Sequence, residues 1–388
     1  MTSASNFFIL CGIGVFCLLS YNLVRMPALA LFAESLGAGP ETIGLVVSVS
    51  TLTGVVLKLP AGTLSDIYGR RLLLGIGILA FSLPPFVYPL VSDLQMLTGL
   101  RALHGLATAI FGPIALATVA EMYPQRRGAA LGWYTASTQA GALVGPVLGG
   151  WLVYTVGFPP TFVSAGVFGS LGLVLFFALQ FQPSPYHSGK RQLWPALAAM
   201  WGGFRTVARN ARVLVTSATD GAKMIANGAL MAFLPIYGVS VGLNPGEVGL
   251  LFGVQGITSL LSKPAMGRLS DKVGRRPLIL LGLLICAGTF VLIPRVSGLM
   301  LLLGLAAGFG FGEAVVTSST SALVADLSEA STIGAGMGMQ GTIGDIGHAS
   351  GPLLAGVLIV QMGYQGAFTV IATIQLIAAA VFWAMVRK

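Results

Sequence analysis

Long apolar runs, separated by short stretches of glycine, proline or charged residues, recur along the whole chain. Most are about 20 residues or longer, which is the length an α-helix needs to cross a membrane. Strands of a membrane β-barrel would instead alternate in polarity over about ten residues. The runs predict twelve spans, numbered 1 to 12 in chain order: 7–33, 41–62, 71–91, 94–121, 127–155, 159–181, 211–238, 245–267, 276–297, 299–326, 331–361 and 364–386.

The composition also indicates a chain surrounded by lipid. Hydrophobic residues make up 55% of the 388 positions and charged residues 9%, whereas soluble domains carry about 25% charged residues. So few charges cannot cover a water-exposed surface, and we expect an all-α integral membrane protein. The three cysteines lie inside apolar runs, and the three histidines are scattered. We therefore expect no enzyme activity, no cofactor, no metal site and no nucleic-acid partner.

One polar connection is much longer than the others and separates six spans from six. It predicts an N-terminal bundle at 1–181, a cytoplasmic linker at 182–210 and a C-terminal bundle at 211–388. Basic residues predict the orientation, because lysine and arginine stay on the cytoplasmic side. One set of alternate connections and chain ends carries fifteen of them, and the opposite set carries only Arg295. We expect both termini to be cytoplasmic, in a bacterial inner membrane.

The two halves repeat one another. The segment GTLSDIYGRR at 62–71 returns as GRLSDKVGRR at 267–276, a shift of 205 residues. Other pairs fall at nearly the same shift: Asn22 with Asn227, Lys58 with Lys263, Ala120-Glu121 with Ala325-Asp326, and Gly145-Pro146 with Gly351-Pro352. Two six-helix halves of one ancestral design explain these matches. Transporters built from such repeats place their substrate site at the interface between them.

The repeated segment contains residues suited to a mechanical role. Gly62 and Gly69 allow close backbone approach and a tight turn, and Arg70 can pair with a carboxylate or with a helix C-terminus. Such a segment can fasten one helix bundle to another. A solvated basic loop that only sets topology is the simpler interpretation, but it does not explain why the Gly-x-Leu-Ser-Asp spacing occurs twice.

The pattern Gly62-x-Leu64-x-Asp66-x-x-Gly69-Arg70 resembles the signature of the major facilitator superfamily between its helices 2 and 3, and 267–276 is similar to the second copy between helices 8 and 9. The resemblance covers essentially the whole chain. It implies the major facilitator fold, with two pseudo-symmetric six-helix bundles that work by alternating access. It also implies a conformational latch, formed here by Gly62, Asp66, Gly69, Arg70, Asp271 and Arg275.

Span 5 carries a second motif, with the spacing G-x8-G-x3-G-P-x2-G-G. This spacing resembles the motif of proton-driven drug and metabolite antiporters in the same superfamily. Small residues allow close contact between helices, and proline allows a bend, so the motif could serve packing in any transporter. As a complete match it favours an exporter. The hinge and packing candidates are Gly132, Gly141, Gly145, Pro146, Gly149 and Gly150.

Ionisable residues occur where the superfamily fold places the central cavity. The interiors of spans 3, 6, 9 and 12 contain none, whereas spans 1, 4, 7 and 10 contain six of them. A charge at the centre of a bilayer costs at least about 2.5 kcal/mol, so this distribution indicates a water-filled path. The substrate-cavity candidates are Asn22, Arg25, Arg101, His104, Gln139, Lys223, Asn227 and Gln340.

Most candidates for proton coupling lie in the second half. Glu313 is in the middle of span 10 without a partner nearby in sequence, and a desolvated carboxyl group can exchange a proton near neutral pH. Asp220 and Lys223 are three residues apart and share a helix face, so a mutually neutralising structural pair is an equally good interpretation. The full set is Glu313, Asp345, His348, Asp220 and Arg101.

Span 1 lacks the membrane-embedded acid that many proton-coupled exporters of this superfamily carry, and it offers Asn22 and Arg25 instead. Three functions remain open. The first is a monomeric exporter of a small organic solute in exchange for protons, which the glycine motif favours. The second is a facilitator or importer of an organic anion bound by Arg25 and Arg101. The third is a non-transporting receptor or assembly component, against which the retained charges argue.

Overall fold

A computed structural model of the chain describes residues 3–181, 202, 205–329 and 332–386. Regular structure in these ranges is helical, and they contain no strand. The predicted linker at 182–210 lies mostly outside the described residues.

Six helices make up the described part of the first half, residues 3–181. In α1 the helix of Ser3–Leu23 continues as Leu29–Ser35 after a break, and in α3 short helical turns follow Ser82 as far as Leu90. The ranges are α1, Ser3–Leu23 with Leu29–Ser35; α2, Pro40–Tyr68; α3, Arg70–Ser82; α4, Leu94–Met122; α5, Arg127–Val156; and α6, Phe158–Ala178.

The second half follows the same plan. Its last helical stretch, Ile333–Met385, is broken at Gly363, where φ is 69°, so we describe it as two helices. The ranges are α7, Ala211–Ser240; α8, Pro245–Val273; α9, Arg275–Leu292; α10, Leu299–Leu327; α11, 333–362; and α12, 364–385.

The number of spans agrees with the sequence pattern. Ten helical stretches in the described ranges are long and apolar enough to cross a membrane, and the stretch that Gly363 divides counts as one of them. The remaining helix, α8, is interrupted by glutamine, serine and lysine residues that lower its hydropathy. Dividing the stretch at Gly363 adds one span to the ten and α8 adds another, which gives the predicted twelve.

The chain divides into two compact units. The first unit takes its described residues from 1–36 and 49–198, and the second takes them from 37–48 and 199–388. The start of α2 therefore belongs to the second unit. There the Ser48 hydroxyl donates a hydrogen bond to the Ala349 carbonyl oxygen at 2.7 Å.

Aromatic contacts organise the interior of each unit. In the first unit the rings of Phe81 and Phe111 meet edge to face at 5.6 Å between centroids. In the second unit the rings of Phe290 and Phe368 stack at 4.4 Å. All four side chains are buried, and such pairs add about 0.5–1.5 kcal/mol beyond the effect of area burial.

The break in α1 lies next to a cationic side chain. Met26 has φ −140° and ψ 127°, which is extended rather than helical. The next residue is Pro27, whose ring disfavours helical geometry in the residue before it and which has no N–H to donate. The helix is therefore interrupted directly after Arg25.

The two signature segments are helical and not loops. α2 continues through Asp66 to Tyr68 and α3 begins at Arg70, so Gly69 alone separates them, with φ 95°. Gly274, with φ 101°, separates α8 from α9 in the same way. Positive φ favours glycine because other residues have a Cβ. The apolar pattern ends at residue 62, although the helix itself continues to Tyr68.

Gly62 does not occupy the close contact that the sequence suggested. It lies inside α2, and a Cβ built there would have no neighbour within 4 Å. The positive φ at Gly69, by contrast, agrees with the expected tight turn.

Candidate functional site

The first signature segment forms an ion-pair cluster at one end of its unit. An Arg70 Nη2 atom lies 2.6 Å from Asp66 Oδ1 and 3.0 Å from Glu121 Oε1. Arg70 also donates to the hydroxyl of Ser65. One guanidinium group therefore connects the ends of α2, α3 and α4. We call this group of four residues the first latch cluster.

The second latch cluster repeats this arrangement at the ends of α8, α9 and α10. Arg275 pairs with Asp271, and its Nε donates to Asp326 Oδ2 at 3.2 Å. Its Nη1 donates to the hydroxyl of Ser270 at 2.6 Å. The acidic side chains here are 61% and 57% exposed, against 27% and 29% in the first cluster. Water screens exposed ion pairs, so the second cluster should stabilise its helix ends less.

The glycines of α5 bring that helix against α1. A Cβ at Gly145 would lie 2.7 Å from the Cβ of Asn22, and one at Gly141 would meet the Val15 carbonyl oxygen still more closely. Gly149 faces Leu23 in the same way. Pro146 and Gly150 are also buried in this helix. These contacts leave no room for a larger side chain on that face.

Gly132 differs from the other glycines of the motif. It lies near the start of α5, and a Cβ there would have no neighbour within 4 Å. The packing interpretation of Gly132 is therefore not supported, whereas the three central glycines do form a stripe.

The second unit preserves this close packing between α7 and α11. Gly351 faces the Ile225 carbonyl group, and Gly347 faces the backbone of Gly221. Gly228 of α7 in turn faces the backbone of His348. The degraded glycine motif of the second half thus still brings two helix backbones together.

A cationic cluster is buried in the first unit. The side chain of Arg101 is completely buried, and its Nη1 donates to the Tyr88 hydroxyl at 3.4 Å. Its Nη2 donates to the hydroxyl of Ser50, which also accepts from the Tyr21 hydroxyl at 3.3 Å. The Tyr88 hydroxyl lies 3.1 Å from His104 Nδ1. We call Arg25 and these five residues the arginine cluster.

Two guanidinium groups share one aromatic ring in the arginine cluster. The Cζ atoms of Arg25 and Arg101 lie 5.5 Å and 5.8 Å from the centroid of Tyr21, within the range of cation–π attraction. Arg25 Nη2 also donates to the hydroxyl of Thr51 at 3.4 Å. The described acidic residues of this unit all lie near helix ends: Glu34, Asp66, Asp93 and Glu121.

A mixed-charge cluster occupies the second unit. Lys223 is completely buried, its Nζ lies 3.0 Å from Asp220 Oδ1, and it donates to the Thr317 hydroxyl at 2.7 Å. Glu313 is half-buried on α10, one turn before Thr317. One carboxyl group therefore pairs directly with the ammonium group, and a second lies one helical turn from the hydroxyl group that accepts its hydrogen bond. We call Lys223, Asp220, Thr317 and Glu313, together with Thr320 and Gln340, the lysine cluster.

Neutral side chains extend the lysine cluster onto α11. Thr320 donates to Asp220 Oδ1 at 3.4 Å, and Gln340 Nε2 donates to the Thr320 hydroxyl at 3.1 Å. The same Nε2 lies 3.3 Å from the Ser321 hydroxyl. The structure thus brings the predicted residues Asp220, Lys223 and Gln340 into one network spanning three helices.

The remaining predicted residues are not members of the arginine cluster or the lysine cluster. Asn22 is buried and donates to the Leu18 carbonyl oxygen of its own helix at 2.8 Å. Gln139 and Asn227 are half-buried on α5 and α7. The last pair, Asp345 and His348, are half-buried on α11.

The sequence reasoning missed the neutral hydroxyl groups. Tyr21, Ser50 and Tyr88 hold the arginine cluster together, while Thr317 and Thr320 hold the lysine cluster. A dense hydroxyl run inside an apolar span, TSSTS at 317–321, was the available signal. The repeat matches Glu121 with Asp326 in the sequence, but it does not identify them as partners of Arg70 and Arg275.

In the described residues, twelve spanning helices in two units, with matching ion-pair clusters and buried charges in the spans, form the architecture of a membrane transporter built from two repeats. A family model described as Major Facilitator Superfamily matches residues 9–240 and 216–388. The protein belongs to this superfamily.

Named relatives and solved structures agree with this assignment. The chain is 28% identical over 388 residues to the multidrug resistance protein MdtG of Escherichia coli, with 95% of this chain and 91% of the relative covered. It is 22% identical over 363 residues to an uncharacterized MFS-type transporter of Methanocaldococcus jannaschii, with 93% of each covered. The nucleoside transporter NupG, 15% identical, matches with a TM-score of 0.80 over the full length of both chains. A bacterial homologue of the human lysosomal transporter Spinster, 14% identical, matches with a TM-score of 0.82 over 98% of this chain and 96% of that one.

Proposed function

We propose that this protein exports a small organic solute by alternating access, in exchange for protons. The observation that carries the proposal is the complete glycine motif of α5, whose central glycines pack against α1. That motif resembles the one found in drug and metabolite antiporters. The similarity to the multidrug resistance protein MdtG over 95% of the chain supports the same function.

The lysine cluster supports the proton step. The cluster contains two carboxyl groups, of Asp220 and Glu313, and one ammonium group, of Lys223. The carboxyl groups outnumber the ammonium group by one, so a bound proton would balance the charges of the cluster. Asp220 is already engaged with Lys223, whereas Glu313 is half-buried and more accessible. We assign Glu313 as the first candidate proton carrier and Asp345 as the second.

The latch clusters supply the conformational step of the proposal. Arg70 fastens α3 to the ends of α2 and α4 in the first unit, and Arg275 does so for the equivalent helices in the second. We infer that these clusters stabilise one of the two states between which the transporter alternates. The basic residues around them favour a cytoplasmic location for this end, in a bacterial inner membrane.

Vesicles with an imposed pH gradient test the exchange. The probes are dansylglycine, dansylamide and dansylcadaverine, which share a fluorophore and differ in tail charge, and pyranine reports the lumenal pH. With an acidic lumen, an antiporter should accumulate its substrate while protons leave. Protein-free vesicles correct for passive distribution of each probe.

Two carboxyl variants and a matched control complete this test. Glu313→Gln should reduce solute-driven proton movement at least tenfold and leave exchange of labelled for unlabelled solute intact. Glu329→Gln, which alters an exposed carboxyl group beyond the end of α10, should behave like the parent. If neither Glu313→Gln nor Asp345→Asn alters proton movement while transport persists, the proton-carrier assignment is wrong.

The arginine cluster favours a second candidate, a facilitator or importer of an organic anion. Its two guanidinium groups lie 5.5 Å and 5.8 Å from the Tyr21 ring centroid, and the acids described in this unit all lie near helix ends. Accumulation of an anionic probe in vesicles with an alkaline lumen, and not an acidic one, would select a proton-coupled importer. Equilibration without any pH response would select a facilitator.

A further inference from the structure

Two side chains form a pair where α9 begins and α12 ends. The guanidinium Cζ atom of Arg276 lies 3.8 Å from the centroid of the Trp383 ring, within the range of cation–π attraction. Nη2 of the same group donates to the Trp383 carbonyl oxygen in the last turn of α12. These contacts hold a cation against a residue that is itself 56% exposed. We call the two residues the Arg276–Trp383 pair.

The positive charge of this pair has no acidic partner among the described residues. The first turn of α9 contains no acid. Asp271 and Asp326, at the same end of the unit, both pair with Arg275 and not with Arg276. Lys272, in the last turn of α8, adds a further exposed positive charge. This end of the second unit therefore suits a ligand that brings a negative charge.

One nitrogen of Arg276 remains accessible to such a ligand. Its Nε is buried, and its Nη2 is engaged with the Trp383 carbonyl group. Nη1 makes no hydrogen bond with the described residues and is not one of their buried unpartnered atoms, so it is accessible from the surface. Guanidinium groups bind phosphate oxygens through such N–H groups.

Further into the span, α9 and α12 present apolar side chains to the lipid. The two helices pack against each other through buried residues that include Leu283 and Phe382. On their outer surfaces Leu281 and Leu284 are 47% and 56% exposed, and Ile377 is 58% exposed. Tryptophan and arginine are typical of the boundary between hydrocarbon and headgroups. A phospholipid has the matching parts, a phosphate at that boundary and acyl chains beside it.

We propose that the Arg276–Trp383 pair binds the phosphate group of an anionic phospholipid, such as phosphatidylglycerol, whose acyl chains lie along α9 and α12. Arg276 contacts the phosphate, and Trp383 is a positioning residue that holds the guanidinium group in place. Basic groups at the membrane surface attract anionic headgroups, whereas Lys272 would repel the ammonium group of phosphatidylcholine. The inference goes beyond the proposed function and does not depend on the exported solute.

The first unit provides a matched control because it lacks this pair. At the repeat shift of 205, Arg71 corresponds to Arg276, but the residue that corresponds to Trp383 is Ala178, which has no ring. Arg71 is exposed. It therefore presents the same charge at the equivalent helix end without the aromatic contact that holds Arg276.

Native mass spectrometry of the full chain in detergent tests the proposal. Delipidated protein is titrated with phosphatidylglycerol or with phosphatidylcholine of the same acyl chains. The first phosphatidylglycerol molecule should bind at least tenfold more tightly, which corresponds to about 1.4 kcal/mol. Equal affinity for the two lipids would overturn the proposal. Glycerol phosphate, which has no acyl chains, should not displace the lipid at the same concentration. Displacement would indicate a site for a soluble phosphate compound, and the lipid site would be wrong.

Variants locate the lipid. Arg276→Gln should lower the affinity for phosphatidylglycerol at least fivefold, whereas Arg71→Gln should leave it unchanged. Trp383→Leu keeps the carbonyl acceptor but removes the ring, so it should lower the affinity severalfold, and Trp383→Phe should retain most of it. Equal losses in Arg276→Gln and Arg71→Gln would indicate diffuse attraction to basic residues and contradict the site. If Arg276→Gln cannot be purified, Trp383→Leu decides, because unchanged lipid affinity in that variant contradicts the proposal.

Discussion

The two units share a scaffold and differ in the charges they bury. Both have a latch cluster around an arginine and a pair of helices in contact through glycines. Inside, the first unit holds cations among hydroxyl groups, and the second holds carboxyl groups around a lysine. At the repeat shift of 205, Arg101 corresponds to Ala306 and Lys223 to Leu18. Backbone contacts restrict the scaffold, whereas the interior chemistry was free to diverge.

The largest loss of transport should come from introducing a larger side chain where α1 and α5 are in contact. Gly145→Leu would place side-chain atoms where a Cβ already lies 2.7 Å from Asn22 Cβ, and overpacking of this kind costs about 1–3 kcal/mol or more. Transport in vesicles should fall more than tenfold, and Gly351→Leu in the second unit should do the same. The control Gly132→Ala, at an open position, should transport like the parent. Parent-like transport by Gly145→Leu would contradict the role of this contact.

Removing the buried cation from each unit tests the difference between them directly. Lys223→Gln leaves the Asp220 carboxylate buried beside a neutral side chain, and breaking a buried pair costs about 3–5 kcal/mol. Arg101→Gln leaves its partners Ser50 and Tyr88 as neutral hydroxyl groups, so it should lower the melting temperature much less. Thermal unfolding in detergent measures both.

The double variant Asp220→Asn with Lys223→Gln is the control for this comparison. It removes both charges, so it should recover most of the stability lost in Lys223→Gln. A double variant as unstable as the single one would show that the charges themselves are not the cause. Equal destabilisation by Arg101→Gln and Lys223→Gln would remove the proposed difference between the units.

The smallest expected effect is the difference in transport rate between variants of the two latch clusters. Asp66→Asn removes a charge that is 27% exposed, and Asp271→Asn removes one that is 61% exposed. Exposed ion pairs contribute about 0–1 kcal/mol, so we expect a severalfold loss of transport rate in the first variant and less than twofold in the second. Solute affinity should change little in either. An equal loss of affinity and rate in Asp66→Asn would argue against a conformational role.

Most of the fold could be predicted because lipid requires long apolar helices, and the break at Gly363 agrees with the predicted boundary between spans 11 and 12. The break at Met26 was not predicted, because the apolar run of span 1 continues through Pro27. The helical ends at Tyr68 and Val273 could not be predicted either, because a helix continues into water without an apolar signature. In the site, the charged residues stood out since each is costly in hydrocarbon. Their hydroxyl partners did not, because serine and threonine are common in membrane helices, where they bond to their own backbone.

The single glycine between α2 and α3 has a mechanical consequence. With one residue as the whole connection, at φ 95°, there is no slack chain to absorb a displacement, so a tilt at the end of one helix passes directly to the start of the next. Gly274 transmits motion between α8 and α9 in the same way. A one-residue insertion at either joint would uncouple neighbouring helices while leaving every lipid-facing side chain in place.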